Sequence, residues 1–375
     1  MISFENVSKR YPGDVVAVNG LSFTAPTGQL TVLVGPSGCG KTTSLRMINR
    51  LVRPTSGTIR LGNEPTAGMD EAILRRRIGY VIQHAGLFPH RTVIDNIATT
   101  ARLNGIPKSQ ARKIALDLLE RVGLSIDFAV RYPWQLSGGQ QQRVGVARAL
   151  ASNPKFMLMD EPFSAVDPIV RAQLQDEFLR LQKEMGKTII MVTHDIDEAL
   201  KLGDQVAVLR VGGQLAQIAT PQELLTRPAD PFVANFVGRD RGYRYLGFVG
   251  ADGRLAAKKE PTAKLGDAPD VARKATADRW ILVTGEQGEP IGWTEPSELR
   301  APITMDDINL SGTFAPLNGS LRQLLDAALS SPSRRGVLVD EDGRFIGCVT
   351  LPDLIALMER ASDTGAPSRE VKYAL

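Results

Sequence analysis

Residues Gly35-Pro36-Ser37-Gly38-Cys39-Gly40-Lys41-Thr42-Thr43 set three glycines ahead of a lysine and two threonines. Glycine lets a backbone curl until its amide N–H groups face one point, and a lysine and a hydroxyl beyond them suit a polyphosphate with its Mg²⁺. The apolar run Thr31–Val34 precedes this loop and the helical stretch TSLRMINRL follows it, the context a P-loop requires. In that reading Lys41 reaches the β and γ phosphates and Thr42 offers its hydroxyl to the metal. Cys39 is then a small loop residue and no nucleophile.

Further groups fit the same chemistry. The run KFMLMDEP ends an apolar strand with Asp160 and Glu161. One carboxylate there can hold Mg²⁺ and the second can orient or deprotonate an attacking water. His194 closes the run TIIMVTH and Gln83 follows IGYVI, so a ring N–H and an amide arrive at the ligand crevice of one parallel sheet. Gln83 could also sense the metal. In QLSGGQQQRVGVARAL, Ser137, Gly138, Gly139 and Gln140 open a helical pattern, and small residues at a helix start make a second anion site.

These groups need a frame. Up to about residue 220, short apolar runs alternate with amphipathic segments, the pattern of an α/β domain with a largely parallel sheet. Strands are expected at Thr31–Val34, Phe156–Met159, Ile189–Val192 and Val206–Leu209. Roughly residues 85–150 read as a helical insertion, with Ala111, Ile114, Ala115, Leu118, Leu119 and Val122 at helical spacing. From about 221 the proline-rich PQELLTRPADPFVANFVGRDRGYRYLG reads as a connecting segment. An internal repeat follows: WILVTGEQGEPIGWTEPSEL from Trp280 and GVLVDEDGRFIGCVTLPDL from Gly336 share strand, glycine turn, strand and helix start. Residues from about 361 lack apolar periodicity and are expected to form a mobile tail.

Composition narrows the class. A chain of 375 residues is long enough for more than one domain, and a net charge of +4 with mixed signs does not call for nucleic acid. Cys39 and Cys348 are too few and too far apart for a disulfide framework or a metal cluster. The N-terminus develops no signal-peptide core, and the apolar runs fall well short of the roughly 20 residues that span a bilayer. The expectation is a soluble chain whose membrane role comes through partners.

P-loop, Gln83, LSGGQ, the Asp160-Glu161 pair, SAVD and His194, in this order, resemble the ATPase subunit of an ATP-binding cassette (ABC) transporter over roughly the first 235 residues. The resemblance implies a P-loop NTPase fold with a helical subdomain at about 85–150, ATP and Mg²⁺ as ligands, and a head-to-tail homodimer. In such a dimer each LSGGQ closes over the γ-phosphate held by the opposite P-loop. It further implies adenine stacking on Tyr11, Ser137 and Gly139 on the partner's nucleotide, Glu161 as catalytic base, Asp167 in the interfacial loop and His194 on the γ-phosphate. HAGLFPHRTVIDNIA is similar to the surface where importer cassettes receive a permease, with a solute-binding protein acting indirectly. That would place the chain on the cytoplasmic face of the inner membrane.

More narrowly, FPHRTVIDNIA, DEPFSAVDPIVRAQLQ and FVGRDRGYRYLG resemble the ATPases of osmoprotectant importers, which take up quaternary amines such as glycine betaine, choline or carnitine. The C-terminal repeat resembles an α+β tandem of cystathionine-β-synthase-type (CBS) modules, with linker and divergent first copy at 236–302 and second copy at 303–360. In the second, Thr350 and Asp353 match positions that contact the phosphate and ribose of a regulatory adenine nucleotide. In the first, Glu295 and Glu298 stand there instead, and Glu295 would repel a phosphate. Two alternatives stay open: Thr350 and Asp353 cap a helix and the tandem only dimerises, or the chain is a soluble cassette ATPase that acts on a macromolecule without a permease.

Overall fold

The computed structural model describes residues 1–83, 86–164, 166–251 and 257–363, with the backbone alone at 169 and 361–363. The chain divides at Arg239/Asp240 into two compact units. In the first, β1 (Ile2–Tyr11), β2 (Val15–Ala25), β4 (Ser56–Leu61) and β5 (Glu64–Pro65) form an antiparallel sheet in the order β2-β1-β4-β5. A second sheet has the order β10-β9-β3-β8-β7-β6, from β3 (Leu30–Val34), β6 (Ile78–Val81), β7 (Phe156–Asp160), β8 (Thr188–Thr193), β9 (Gln205–Arg210) and β10 (Gln214–Ala219). All its pairings are parallel except that of β9 with β10. Strands β3 and β8 are buried at every position, as continuous apolar runs covered on both faces must be.

Each strand end feeds a helix or loop. Helix α1 (Lys41–Ile48) follows β3, and α2 (Glu71–Arg76) precedes β6. Between β6 and β7 lie α3 (Val93–Leu103), α4 (Lys108–Arg121) and α5 (Gly138–Leu150), packed on one another. The apolar positions of α4 are buried at Ala111, Ala115, Leu118 and Leu119. Helix α6 (Pro168–Met185) joins β7 to β8, and α7 (Ile196–Leu202) joins β8 to β9.

The segment expected to be a plain connector is helical instead. Helices α8 (Pro221–Thr226), α9 (Pro231–Val237) and α10 (Arg241–Tyr245) occupy it. Pro221 and Pro231 stand at first helical positions behind the capping side chains of Thr220 and Asp230, and Pro228 lies between the two helices. Proline has no N–H to lose there and its fixed φ suits a helix start, so these residues begin helices where the sequence suggested interruption.

The second unit holds two modules of one topology. In the first, β11 (Thr262–Lys264) pairs parallel with β12 (Ile281–Thr284), which pairs antiparallel with β13 (Pro290–Thr294); α11 (Pro269–Ala275) connects β11 to β12. In the second, β14 (Phe314–Pro316), α12 (Leu321–Ser330), β15 (Arg335–Val339) and β16 (Phe345–Thr350) repeat that plan, and α13 (Leu351–Asp363) follows. Leu282 and Trp293 of one sheet pack with Val337 and Cys348 of the other, residues at matching positions of the two copies. The shared helix start, however, exists only once. After β13 the chain makes a turn, with the Glu298 N–H donating to the Glu295 carbonyl at 3.0 Å, and no helix. Pro302 disfavours the α-region for Ala301 and would leave any helix from Glu295 less than two turns long.

The second module's core includes Val249 and Ala251, from the segment directly after α10, with Leu246 packed against it. Ala251 N–H donates to Gly319 O at 3.3 Å and Leu321 N–H to Val249 O at 2.8 Å. Chain entering the unit is thus built into its second module, and the first module is inserted between. Helix α13 runs through to 363, into the proposed tail, whose remainder lies outside the described residues.

Candidate nucleotide site

The loop between β3 and α1 needs its glycines. Gly38 and Gly40 adopt φ of 76° and 91°, and a Cβ on Gly40 would lie 2.3 Å from the Ala17 carbonyl oxygen. At Gly35 a Cβ would lie 2.4 Å from the carbonyl oxygen of Leu209, so the loop is pressed onto β9. Cys39 is buried, whereas Ser37 and Gly38 are exposed. Lys41 is buried, and its ammonium donates to the carbonyls of Gly35 at 2.7 Å and Pro36 at 3.1 Å. A cation held by two neutral carbonyls can exchange them for phosphate oxygens, which carry charge. Thr43 is half-buried one residue beyond Thr42.

Strand ends deliver the rest. Thr42 donates its hydroxyl proton to Asp160 Oδ1 at 3.0 Å, across 118 residues of sequence. Burial pushes the Asp160 carboxyl up, the Thr42 hydrogen bond and Arg46 oppose this, and the Glu161 charge adds to it. The Arg46 guanidinium stands 3.9 Å away, one turn beyond Thr42 on α1; sequence reasoning missed it, although its i,i+4 spacing from Thr42 was available. Arg46, Tyr80, Gln83 and Asp160 line an open pocket of about 390 Å³.

Glu161 is clamped. Gln83 Nε2 donates to Oε2 at 3.1 Å, and His194 Nδ1 lies 3.2 Å from Oε1. Its backbone has φ 45°, a left-handed conformation uncommon outside glycine, and its N–H is tied to Val192 O at 3.0 Å. Strain of this kind persists only where surrounding bonds over-determine it. The oxygen pair Thr42 and Asp160 fits a hard cation, and Mg²⁺ ordinarily takes one or two carboxylates together with substrate phosphates. Among the described residues no cluster of three or more His, Cys, Asp or Glu side chains forms a metal cage.

The remaining predicted residues form a second group. Ser137 caps α5: its Oγ accepts from Gln140 N–H at 3.3 Å, while Gln140 Oε1 accepts from Ser137 N–H at 3.0 Å. Gly138 and Gly139 keep first-turn N–H groups that have no intrahelical acceptor. A Cβ on Gly139 would lie 3.3 Å from Val170 and 3.5 Å from Val166, so this helix start packs on the loop before α6, where Asp167 caps Val170 N–H at 3.1 Å. Among the described residues no hydrogen bond or ion pair joins Ser137–Gln140 or Asp167 to residues 35–43. Tyr11, at the end of β1, is exposed with the Lys9 ammonium 5.0 Å from its ring centre.

Two further groups singled out in the sequence lie outside this site. Exposed Phe88 sits on a loop pinned by buried Asn96, whose amide bonds the N–H and carbonyl of Phe88 and the carbonyls of Arg91 and Thr92. The Arg91 guanidinium stacks 4.8 Å over the Phe88 ring. His84 and Ala85, the start of the stretch similar to a permease-receiving surface, lie outside the described residues. In the second unit Thr350 Oγ donates to Asp353 Oδ2 at 2.5 Å, and Lys258 Nζ reaches the same oxygen at 2.8 Å. Hydrogen bonds from Lys258 and Thr350 hold the Asp353 carboxyl below the usual range. Glu295 is held from both oxygens by Arg279 at 2.9 Å, so its charge is compensated.

Comparison with known proteins agrees with this geometry. The family described as ABC transporter matches residues 18–164. The chain is 42% identical to the osmoprotectant import ATP-binding protein OsmV of Salmonella typhimurium, over 92% of this chain and 93% of that one. It is 39% identical to the choline transport ATP-binding protein OpuBA of Bacillus subtilis, over 96% of both. The fold is similar to a dimeric post-hydrolysis structure of the ATP-binding cassette MJ0796 bound to ADP and Pi, with TM-score 0.54 and 34% identity over 59% of this chain and 99% of that one.

Proposed function

The chain belongs to the ATP-binding subunits of ABC transporters, and from that premise we propose that it is the ATP-hydrolysing motor of an importer for quaternary-amine osmoprotectants. The relatives named for osmoprotectant and choline transport match nearly its whole length, which supports the substrate class. The observation that carries the activity is the convergence of Thr42, Asp160, Glu161, Gln83 and His194 from separate strand ends beside the glycine loop.

In this reading Gly35, Ser37, Gly38, Cys39, Gly40, Lys41, Thr42 and Thr43 wrap the phosphates of ATP, and Tyr11 stacks on its adenine. Thr42 and Asp160, with Gln83 nearby, would hold Mg²⁺, which when bound neutralises phosphate charge. Glu161 takes the proton of the attacking water. His194 and Gln83 hold its carboxylate from opposite oxygens, so the base is aimed before substrate arrives.

One chain is half a machine. The free amides at Gly138 and Gly139 sit with Asp167 and are unconnected to their own P-loop, which supports completion of each site by a second copy. Phe88 on its pinned loop, within a stretch similar to the permease-receiving surface of importer cassettes, supports docking of a membrane permease. No helix among the described residues is long and apolar enough to cross a membrane, in keeping with a peripheral subunit at the cytoplasmic face of the inner membrane. We read the paired C-terminal modules as a regulatory CBS-type tandem for an adenine nucleotide.

A mixing experiment tests the shared site. Lys41→Ala and Ser137→Arg chains are each expected to be nearly inactive alone, one without its phosphate contact and the other blocking its neighbour. Mixed, some dimers carry both defects in one site and neither in the other, so partial ATPase activity returns. Cysteines placed at Ser37 and Gly138 of separate chains should cross-link with ATP present; a folded chain that never cross-links refutes the reading. Co-purification with a permease whose ATPase responds to quaternary amines tests the transport role.

A further inference from the structure

The loop that carries Phe88 is held from two helices. On the α3 side, Asn96 bonds it at Phe88, Arg91 and Thr92, and Thr99 Oγ1 accepts from Arg91 Nη1 at 3.0 Å. On the α5 side, Arg148 Nη1 donates to the Gly86 carbonyl at 2.7 Å, and its guanidinium lies 6.0 Å from the centre of the Phe88 ring, the outer reach of a cation–π contact. The Arg148 carbonyl accepts from the Thr100 hydroxyl at 2.5 Å, so α3 and α5 are bonded to each other at the same level. Among the described residues no hydrogen bond or ion pair joins residues 86–91 to a strand of either sheet or to α1. The loop belongs to the helical block.

An arginine in the last turn of a helix ordinarily serves that helix's own final carbonyls. Arg148 Nη1 reaches instead to a carbonyl 62 residues away in sequence. Its helix is the one that opens with Gly138 and Gly139 behind Ser137, and 13 residues make a rod about 20 Å long. The far end of that rod bears on β6, where a Cβ on Gly79 would lie 2.6 Å from the Ala149 carbonyl oxygen. A rod seated at one end tilts about its seat, so a small displacement at Arg148 becomes a larger one at Ser137.

We propose that Arg148 is a positioning residue that fixes the Phe88 loop to the LSGGQ helix, so that a permease docked at Phe88 moves Ser137 and not the loop alone. The permease half of this rests on the docking reading above. Arg148 bonds none of the groups that hold Glu161 or bind Thr42, so its loss leaves the chemistry of an assembled site intact.

The full chain tests the link first without a permease. Cys39 and Cys348 are buried, so nitroxides can be placed on cysteines introduced at His90, in the loop, and at Trp134, whose segment Gln141 Nε2 ties to α5 through the carbonyls of Pro133 and Leu136. Electron-spin measurement should give one narrow distance that Mg-ATP does not change. Arg148→Met keeps the apolar stem but loses the donors and should broaden that distance about twofold, whereas Arg148→Lys, with one donor returned, should restore most of it. In complex with the permease that copurifies, Arg148→Met should lower solute-stimulated ATPase about tenfold. Basal ATPase of the chain alone and its ATP-driven Ser37–Gly138 cross-link should change by less than about twofold. A distance that stays narrow in Arg148→Met, or equal losses of basal and stimulated activity, would overturn the proposal. If no permease copurifies with the parent, the docking reading falls separately, because the label distance is read on the chain alone.

Discussion

Each unit presents a threonine hydroxyl bonded to an aspartate, and the two pairs differ in how they come about. Thr42 and Asp160 are 118 residues apart and meet only because β3 and β7 stand in one sheet. Thr350 and Asp353 are three apart and meet in the first turn of α13. The distant pair exists at the expense of the whole fold and faces an open pocket beside a cationic loop. The local pair satisfies a helix start, and Lys258 completes it. A polar pair assembled by tertiary structure points toward a ligand; one assembled by its own helix turn has a sufficient reason already.

Removing the proposed base next to the distant pair is the severest way to test this contrast. Glu161→Gln preserves shape and the neighbouring oxygen set, so ATPase turnover should drop by roughly 10² or more while ATP still drives the Ser37–Gly138 cross-link. Parental turnover in a stopped assay would remove Glu161 from the chemistry. A smaller but still sharp effect is expected from Thr42→Val, which should weaken Mg²⁺-dependent ATPase about tenfold or more, since one oxygen donor is gone. Thr350→Val should leave ATPase activity of the isolated chain unchanged and lower the stability of the second unit by about 1 kcal/mol in denaturant melts, the usual net worth of one hydrogen bond. A regulatory response to adenine nucleotide that disappears in Thr350→Val, at equal stability, would instead make the local pair a ligand site as well.

The mildest test concerns Cys348. Burial, then the nearby Glu260 charge, pushes its thiol up to about 12 from its ordinary value of 9.0. The folded chain at pH 8 should therefore resist iodoacetamide at Cys348 until it is unfolded, as read by mass spectrometry. The raised value also gives a sign: this contribution to stability is complete below about pH 9 and is lost as pH rises toward 12. Labelling at the unfolded rate would show that the joint core around Cys348 opens readily.

What the sequence made legible follows the same division. The P-loop could be read because its glycines and Lys41 act within nine residues, and β3, β7, β8 and β9 because buried parallel strands are continuous apolar runs. Asp160, Glu161, Gln83 and His194 were visible as residues at strand ends; their mutual bonds were not, since pairing order is a property of the sheet. Arg46 carried no local signal strong enough to stand out, because its partner Asp160 ends a strand far away in sequence. Pro221 and Pro231 misled for a physical reason: the same missing N–H that breaks a helix interior is harmless at its first position. The first module's absent helix was legible after the fact in Pro302.

The placement of residues 246–251 in the second module's core has a consequence for synthesis. As the chain leaves the ribosome, the segment that begins the second unit must wait for α12, β15 and β16, which start only at Leu321, before its apolar side chains are covered. The intervening module can condense from neighbours close in sequence, whereas the one that encloses it closes a long loop and is paid only at the end. A nascent chain halted near residue 310 would therefore hold a complete ATPase unit and a folded inner module, with Leu246 and Val249 still bare to chaperones.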